Sequence, residues 1–216
     1  MTIKLLQGDC LDVMQDIELG SIDMVLTDPP YGMAYKSGWS GASVAMDGTR
    51  MCLRMYKKAL PVLVDLMAEN AHFYFFTRWD VWPDIADMLS PYIPVKNALI
   101  WDKGHPGMGD LKSYGYSYEM IAFASKGKRA LIGGRPGNIF KHNPVPNAKR
   151  LHPTEKPSAL LEEFILRSTN EGDTVLDPFM GSASVGEVCK KLNRNFIGIE
   201  LDKKYFQIAQ DRISAV

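Results

Sequence analysis

Residues 174–200 read TVLDPFMGSASVGEVCKKLNRNFIGIE. The apolar run Thr174–Leu176 predicts a strand, the glycine turn Asp177–Ser182 ends it, a helix follows, and Phe196–Glu200 predicts a second strand closed by an acid. Strand, glycine turn, helix and acid-tipped strand make up the nucleoside-binding βαβ unit, in which the acid accepts hydrogen bonds from ribose hydroxyls. Gly181 and Glu200 are 19 residues apart, which suits that role. The turn departs from the dinucleotide fingerprint, because Gly181-Ser182-Ala183 is not GxGxxG and Asp177 would repel a pyrophosphate. A ligand with a positive centre or an ammonium group is welcome beside such an acid.

Outward from this unit, short apolar runs alternate with helical periodicity, the pattern of an α/β domain with a mostly parallel sheet. Strands are expected near residues 3–7, 22–27, 72–77, 96–101, 119–124, 174–177 and 196–200, seven in all. Met51, Met55, Ala59, Leu63 and Met67 recur every four residues, and Leu160, Leu161, Phe164 and Ile165, then Tyr205, Ile208, Ala209, Arg212 and Ile213, form similar stripes. Each stripe gives one helix an apolar face for a core. No repeat or linker divides residues 1–216, so a single domain is expected.

A second strand end carries chemistry: Asp28-Pro29-Pro30-Tyr31 directly follows the strand Ile22–Thr27. Asp-Pro and Pro-Pro both end regular structure, so a plain turn accounts for the first three residues. An aromatic fourth residue at a strand's carboxyl end points instead to a ligand, because open α/β sheets bind ligands there. The double proline removes two N–H donors and leaves a stiff loop of bare carbonyls. A carboxylate, a bare carbonyl and an aromatic face together suit an aminopurine or an aminopyrimidine. The loop Gly32–Thr49, with Trp39 and five glycines or serines from Ser37 to Ser43, is either a cover for such a base or an idle connection.

The chain has 25 basic and 25 acidic residues, but the charge is uneven. Residues 103–150 hold nine basic side chains (Lys103, Lys112, Lys126, Lys128, Arg129, Arg135, Lys141, Lys149 and Arg150) against Asp110 and Glu119. This loop-rich segment, with Tyr114, Tyr116 and Tyr118 interleaved, reads either as a surface that follows a phosphate backbone or as a solvated loop. Cys10, Cys52 and Cys189 are far apart with no CxxC pair, which argues against a disulfide framework and for a reducing cytoplasm. The four histidines lack partners at ligand spacing, so no metal is expected. No apolar run is long enough to span a bilayer.

Taken in order, Asp28–Tyr31 (DPPY), His152-Pro153-Thr154-Glu155-Lys156-Pro157 and Asp177–Ser182 (DPFMGS) resemble the motifs of the DNA amino-methyltransferases that use S-adenosylmethionine, in the permuted arrangement called the β class. The resemblance runs nearly end to end, with Ala183 standing where the family usually has a second glycine. It implies a single Rossmann-like methyltransferase domain with circularly permuted motif order. It further implies that Asp28, Pro29, Pro30 and Tyr31 act on the target base, that Asp9 and Cys10 lie beside the cofactor's adenine, and that Glu200 holds its ribose. Asp177, Phe179, Gly181 and Lys156 would surround the methionine part, with Thr154, Ser182 and Asp202 in the same cofactor site. The implied partner is double-stranded DNA, with a homodimer as a further possibility, and the implied reaction is methylation of adenine N6. Cytosine N4 methylation uses the same architecture and stays open, as does a non-catalytic DNA-binding subunit. Methylation of RNA or a protein amide fits less well, because such members tend to carry Asn in place of Asp28.

Overall fold

A computed structural model describes residues 1–31, 48–106 and 111–216. Residues 32–47 of the expected covering loop, and 107–110 of the basic segment, lie outside the described residues. In chain order the elements are β1 (Ile3–Gln7), α1 (Cys10–Val13), β2 (Ile22–Thr27), α2 (Thr49–Leu66), β3 (Met67–Thr77), α3 (Trp82–Leu89), β4 (Val95–Asp102) and β5 (Tyr118–Lys126). They continue with β6 (Ile139–Lys141), α4 (Ser158–Ser168), β7 (Thr174–Asp177), α5 (Ser184–Lys191), β8 (Asn195–Glu200) and α6 (Lys203–Ser214).

The strands join one sheet in the order β1-β8-β7-β2-β3-β5-β4-β6. All neighbours are parallel except β5, which runs antiparallel to both β3 and β4. From β2 the chain moves outward to β3, and from β7 it moves outward the other way to β8. The reversal between β2 and β7 is a topological switch point, where the loops part and open a crevice at the carboxyl ends of the strands. Asp28 and Asp177, the acids of the two sequence motifs, stand at that crevice.

Alternation along β3 builds both cores. Phe73 and Phe75 pack with Val25, Leu176 and Ile199 against α2 and α3, while Tyr74 and Phe76 pack with Leu26 and Val175 against α4 and α5. Because helices cover both faces, the strand reads as an unbroken apolar run. The apolar stripes of α2 and α4 lie in these two layers, with Leu60 and Leu63 on one side and Phe164 and Ile165 on the other.

The sheet has eight strands among the described residues where seven were expected. The extra strand, β6, is a three-residue edge on β4 in which only Phe140 is buried, so it carries no readable alternation. The antiparallel insertion of β5 brings its first residues, Tyr118 and Glu119, to the carboxyl ends of β3 and β4.

Gly198 in β8 is a point of close approach. A Cβ there would run into the Sδ of Met180 and the ring of Phe196. Gly198→Ala is expected to destabilise the fold by about 1–3 kcal/mol, the usual range for overpacking, read as a lower urea midpoint at unchanged m-value.

Candidate active site

The residue before Asp28 reaches across the switch point to the other acid: Thr27 Oγ1 donates to Asp177 Oδ1 at 2.9 Å. Thr27 is the last residue of β2 and Asp177 the last of β7, so their meeting follows directly from the strand order. Beyond Thr27 the loop of prolines is pinned by α2, whose Tyr56 hydroxyl donates to the Pro30 carbonyl. Tyr31 folds back, its hydroxyl donating to Asp28 Oδ1 at 2.5 Å. Lys156 Nζ donates to Asp28 Oδ2 and pairs with Glu119 Oε2 at 3.2 Å. Its ammonium lies 5.0 Å from the centre of the Phe76 ring and 5.7 Å from that of Tyr31. Burial opposes the Lys156 charge, but the Asp28 and Glu119 carboxylates outweigh it and hold its pKa up. Burial also lifts the Asp28 carboxyl above its usual range, with Lys156 opposing and Glu119 adding to the rise.

A cleft leads from Asp28 and Lys156 past Thr154 to Asp177, Phe179 and Gly181, with Ser182 at its side. Among the described residues the hydrogen bonds to the Asp177 side chain, from Thr27 and from the Phe179 amide, both fall on Oδ1. Burial pushes the Asp177 carboxyl up to about 7, with the Asp28 and Glu200 charges adding. Gly181 has φ +52°, and its amide donates to Glu200 Oε2 at 2.9 Å. A Cβ there would press on the His152 ring at 3.4 Å. Glu200 Oε1 accepts from the Asp202 amide at 2.7 Å, so this carboxylate ties the turn after β7 to the loop after β8. The Gly8 amide donates to the Glu200 carbonyl and brings Asp9 and Cys10 alongside. Asp9 caps α1 through Leu11 N, and burial pushes the Cys10 thiol up to about 12, keeping it neutral.

Three residues have partners or conformations that the sequence did not show. The Asp202 side chain caps α6 by accepting from the Lys204 and Tyr205 amides. Lys156 pairs with both Asp28 and Glu119 at the Asp28 end of the cleft. Ala183, in the place of the family's glycine, has φ +57°, a left-handed conformation that costs a non-glycine residue about 1–2 kcal/mol. Glu119 and Tyr56 were not foreseen as site residues, since neither stands in a recognisable motif. Among the described residues no group of His, Cys, Asp or Glu side chains has the arrangement of a metal site.

With this geometry in place, a sequence model of the N6/N4 methyltransferases, described as DNA methylase, matches residues 22–211. The chain belongs to that DNA methylase family. Type II methyltransferase M2.DpnII of Streptococcus pneumoniae is 56% identical over 246 residues, covering 98% of this chain and 89% of that protein. DNA adenine methyltransferase YhdJ of Escherichia coli K12 is 28% identical over 252 residues, covering 97% and 82%. The crystal structure of the M1.HpyAVI–SAM complex is 30% identical with a TM-score of 0.76, covering 98% of this chain and 99% of that one. As a member of the family the chain is a DNA methyltransferase that uses S-adenosylmethionine.

The basic segment of this DNA methylase divides between the two ends of the sheet. Lys103 and Lys141 follow or end β4 and β6 at the catalytic end, Lys103 paired with Glu119 at 2.7 Å. Lys149 is exposed, and Arg150 donates to the Val145 and Pro153 carbonyls, bracing the approach to Lys156. Lys112 and Arg135 are exposed. Lys126, Lys128 and Arg129 are at the opposite end, about 24 Å along β5 from Glu119 at the usual strand rise. Lys126 Nζ satisfies the Val64 and Met67 carbonyls where α2 ends, and Arg129 pairs with Asp23 and Asp173 beneath β2 and β7. The Lys128 side chain is exposed at that same far end, its amide bonded to Asn70. Lys126 and Arg129 thus have structural partners of their own, while the Lys128 side chain is exposed.

Arg129→Ala is expected to cost about 1–3 kcal/mol of stability by stranding two carboxylates. The slope of log K against log salt for DNA binding should stay unchanged. A flatter slope would return Arg129 to the DNA interface.

Proposed function

We propose that this DNA methylase acts on the N6 amine of an adenine flipped out of duplex DNA, within a single domain spanning residues 1–216. The observation that carries the reading is the meeting of Asp28 and Asp177 on one cleft, with Thr27 reaching across to Asp177, which sets an acceptor for an amine beside an acid suited to a cation. The DPPY motif and the naming of the YhdJ relative as an adenine methyltransferase favour adenine.

An adenine amine is a poor nucleophile because its lone pair is delocalised into the ring. Asp28 accepts one N–H and the Pro29 carbonyl the other, which draws the nitrogen toward tetrahedral geometry and frees the lone pair. Pro30, held by Tyr56, fixes the direction of the loop, and the Tyr31 ring stacks on the base. Positioning and electrostatics of this kind supply most of the barrier reduction when the leaving group is already good. Asp28 then receives the proton the methylated amine releases.

The residues present fit S-adenosylmethionine. A dinucleotide's pyrophosphate would be repelled by Asp177, whereas a sulfonium or ammonium is attracted to its carboxylate. Asp177, Phe179, Gly181 and Ser182, with Thr154 and Lys156 across the cleft, would hold the methionine part. Glu200 would hold the ribose, and Asp9 and Cys10 would border the adenine. When bound, the cofactor supplies a methyl group on positively charged sulfur, which departs as a neutral thioether as the amine takes the methyl.

Lys103, Lys141, Lys149 and Arg150, with Lys112 and Arg135, are the basic residues this reading sets toward DNA. Three buried, unpaired cysteines fit a reducing cytoplasm, and a homodimer would extend a short recognition surface. No described helix is long and apolar enough to cross a membrane.

Asp28→Ala should abolish methyl transfer while cofactor binding by calorimetry persists. Nucleoside mass spectrometry of DNA modified by the purified enzyme should give N6-methyladenine, and N4-methylcytosine alone would refute the adenine reading. Because a neighbouring cation favours ionised Asp177, cofactor affinity should be full above pH 7. It should fall by up to about tenfold per unit as the pH drops below 7, a dependence that Asp177→Asn flattens.

A further inference from the structure

Both oxygens of Asp28 are already taken. Oδ1 accepts from the Tyr31 hydroxyl at 2.5 Å and Oδ2 from the Lys156 ammonium. An entering amine has to displace or share with one of these donors. Both displaced groups have the same second acceptor: Glu119 Oε2 is 3.2 Å from Lys156 Nζ and 3.5 Å from the Tyr31 hydroxyl. Lys156 is buried, with 5% of its side chain exposed, and its third donor reaches the Thr154 carbonyl at 3.3 Å. Moved off Asp28, the ammonium therefore keeps two acceptors and a counter-charge. A buried cation without such a partner would be strongly disfavoured.

We propose that Glu119 is a positioning residue that takes over Lys156, and with it the Tyr31 hydroxyl, when the amine of the target base enters at Asp28. The inference rests on Asp28 being the acceptor of that amine. Glu119 is built to stay in place: Lys103 holds its other oxygen at 2.7 Å and lies 5.0 Å over the Trp101 ring. Burial works to raise the Glu119 carboxyl, but Lys156 and Lys103 outweigh it, so the group stays ionised. The exchange also serves the chemistry. The amine nitrogen gains positive charge as it takes the methyl, and an ammonium left on Asp28 would oppose that charge. Withdrawn to Glu119, Lys156 frees the carboxylate to face the amine. Among the described strands β5 is the one that begins at this end of the sheet, and Glu119 is its second residue.

The test compares single-turnover rates at saturating cofactor and DNA. Glu119→Gln keeps the shape but cannot balance the ammonium, so the rate should fall by about tenfold or more. The dissociation constant for S-adenosylmethionine should stay within about twofold of the native value, which also reports an intact fold. Adding Lys156→Gln to Glu119→Gln removes the ion that holds Asp28, and the double variant should be faster than Glu119→Gln alone. Glu119→Asp, which keeps the charge, should likewise be faster than Glu119→Gln. A Glu119→Gln rate within twofold of native, a double variant no faster than the single, or equal rates for Asp and Gln would each overturn the proposal. Product analysis of the native enzyme tests the adenine reading separately, because a cytosine amine would enter at Asp28 in the same way and leave this comparison readable.

Discussion

The reversal of chain direction between β2 and β7 is the constraint on which the site depends. Two parallel strands that are neighbours in space lead their chains away in opposite directions, and the gap that results is bordered by whatever residue ends each strand. Here β7 ends in Asp177 and β2 runs directly into Asp28, two acids with distinct surroundings. Asp28 is met by a cation and a phenol, whereas Asp177 is met by a hydroxyl and an amide on one oxygen alone. Two chemically similar side chains thus stand in different surroundings, the difference on which the proposed division of tasks between amine and positive centre rests.

Around this gap the charges are arranged in a chain rather than as isolated pairs. Lys103, Glu119, Lys156 and Asp28 alternate in sign across four different loops and strands, so the group is neutral as a whole. Neutrality lets the set be buried without the penalty that any one member would carry alone. A second knot, in which Arg212 of α6 pairs with Glu155 and Glu187 and donates to Ser182, fastens the segment leading to Lys156 onto the cofactor turn. The two halves of the cleft are consequently coupled through residues 152–157, whose sequence meaning is as much structural as chemical.

Much of this was legible in the chain before any coordinates. The βαβ unit from Thr174 to Glu200 has short strands, a glycine turn and a terminal acid, all local signals, and the apolar run of β3 announces a strand covered on both faces. What stayed hidden depends on distant partners. Glu119 looks like an ordinary strand-entry acid until β5 is known to run antiparallel. Lys126 and Arg129 look like part of a basic surface until α2 and the starts of β2 and β7 are seen to need a donor. Asp202 sits one position before α6, and its part as that helix's cap shows only once the helix start is known. β6 has too few buried residues to show a period.

The Thr27–Asp177 bridge spans 150 residues of chain, which bears on how the protein is made. At ordinary rates of synthesis the ribosome needs roughly 8–30 s to travel that distance. Once β3 has been made, β2 has a neighbour on one flank, while the place of β7 on the other stays open until residue 177 is reached. The crevice is thus closed only by one of the last strands to be made, and a chain cut short before residue 174 would leave that edge of β2 uncovered.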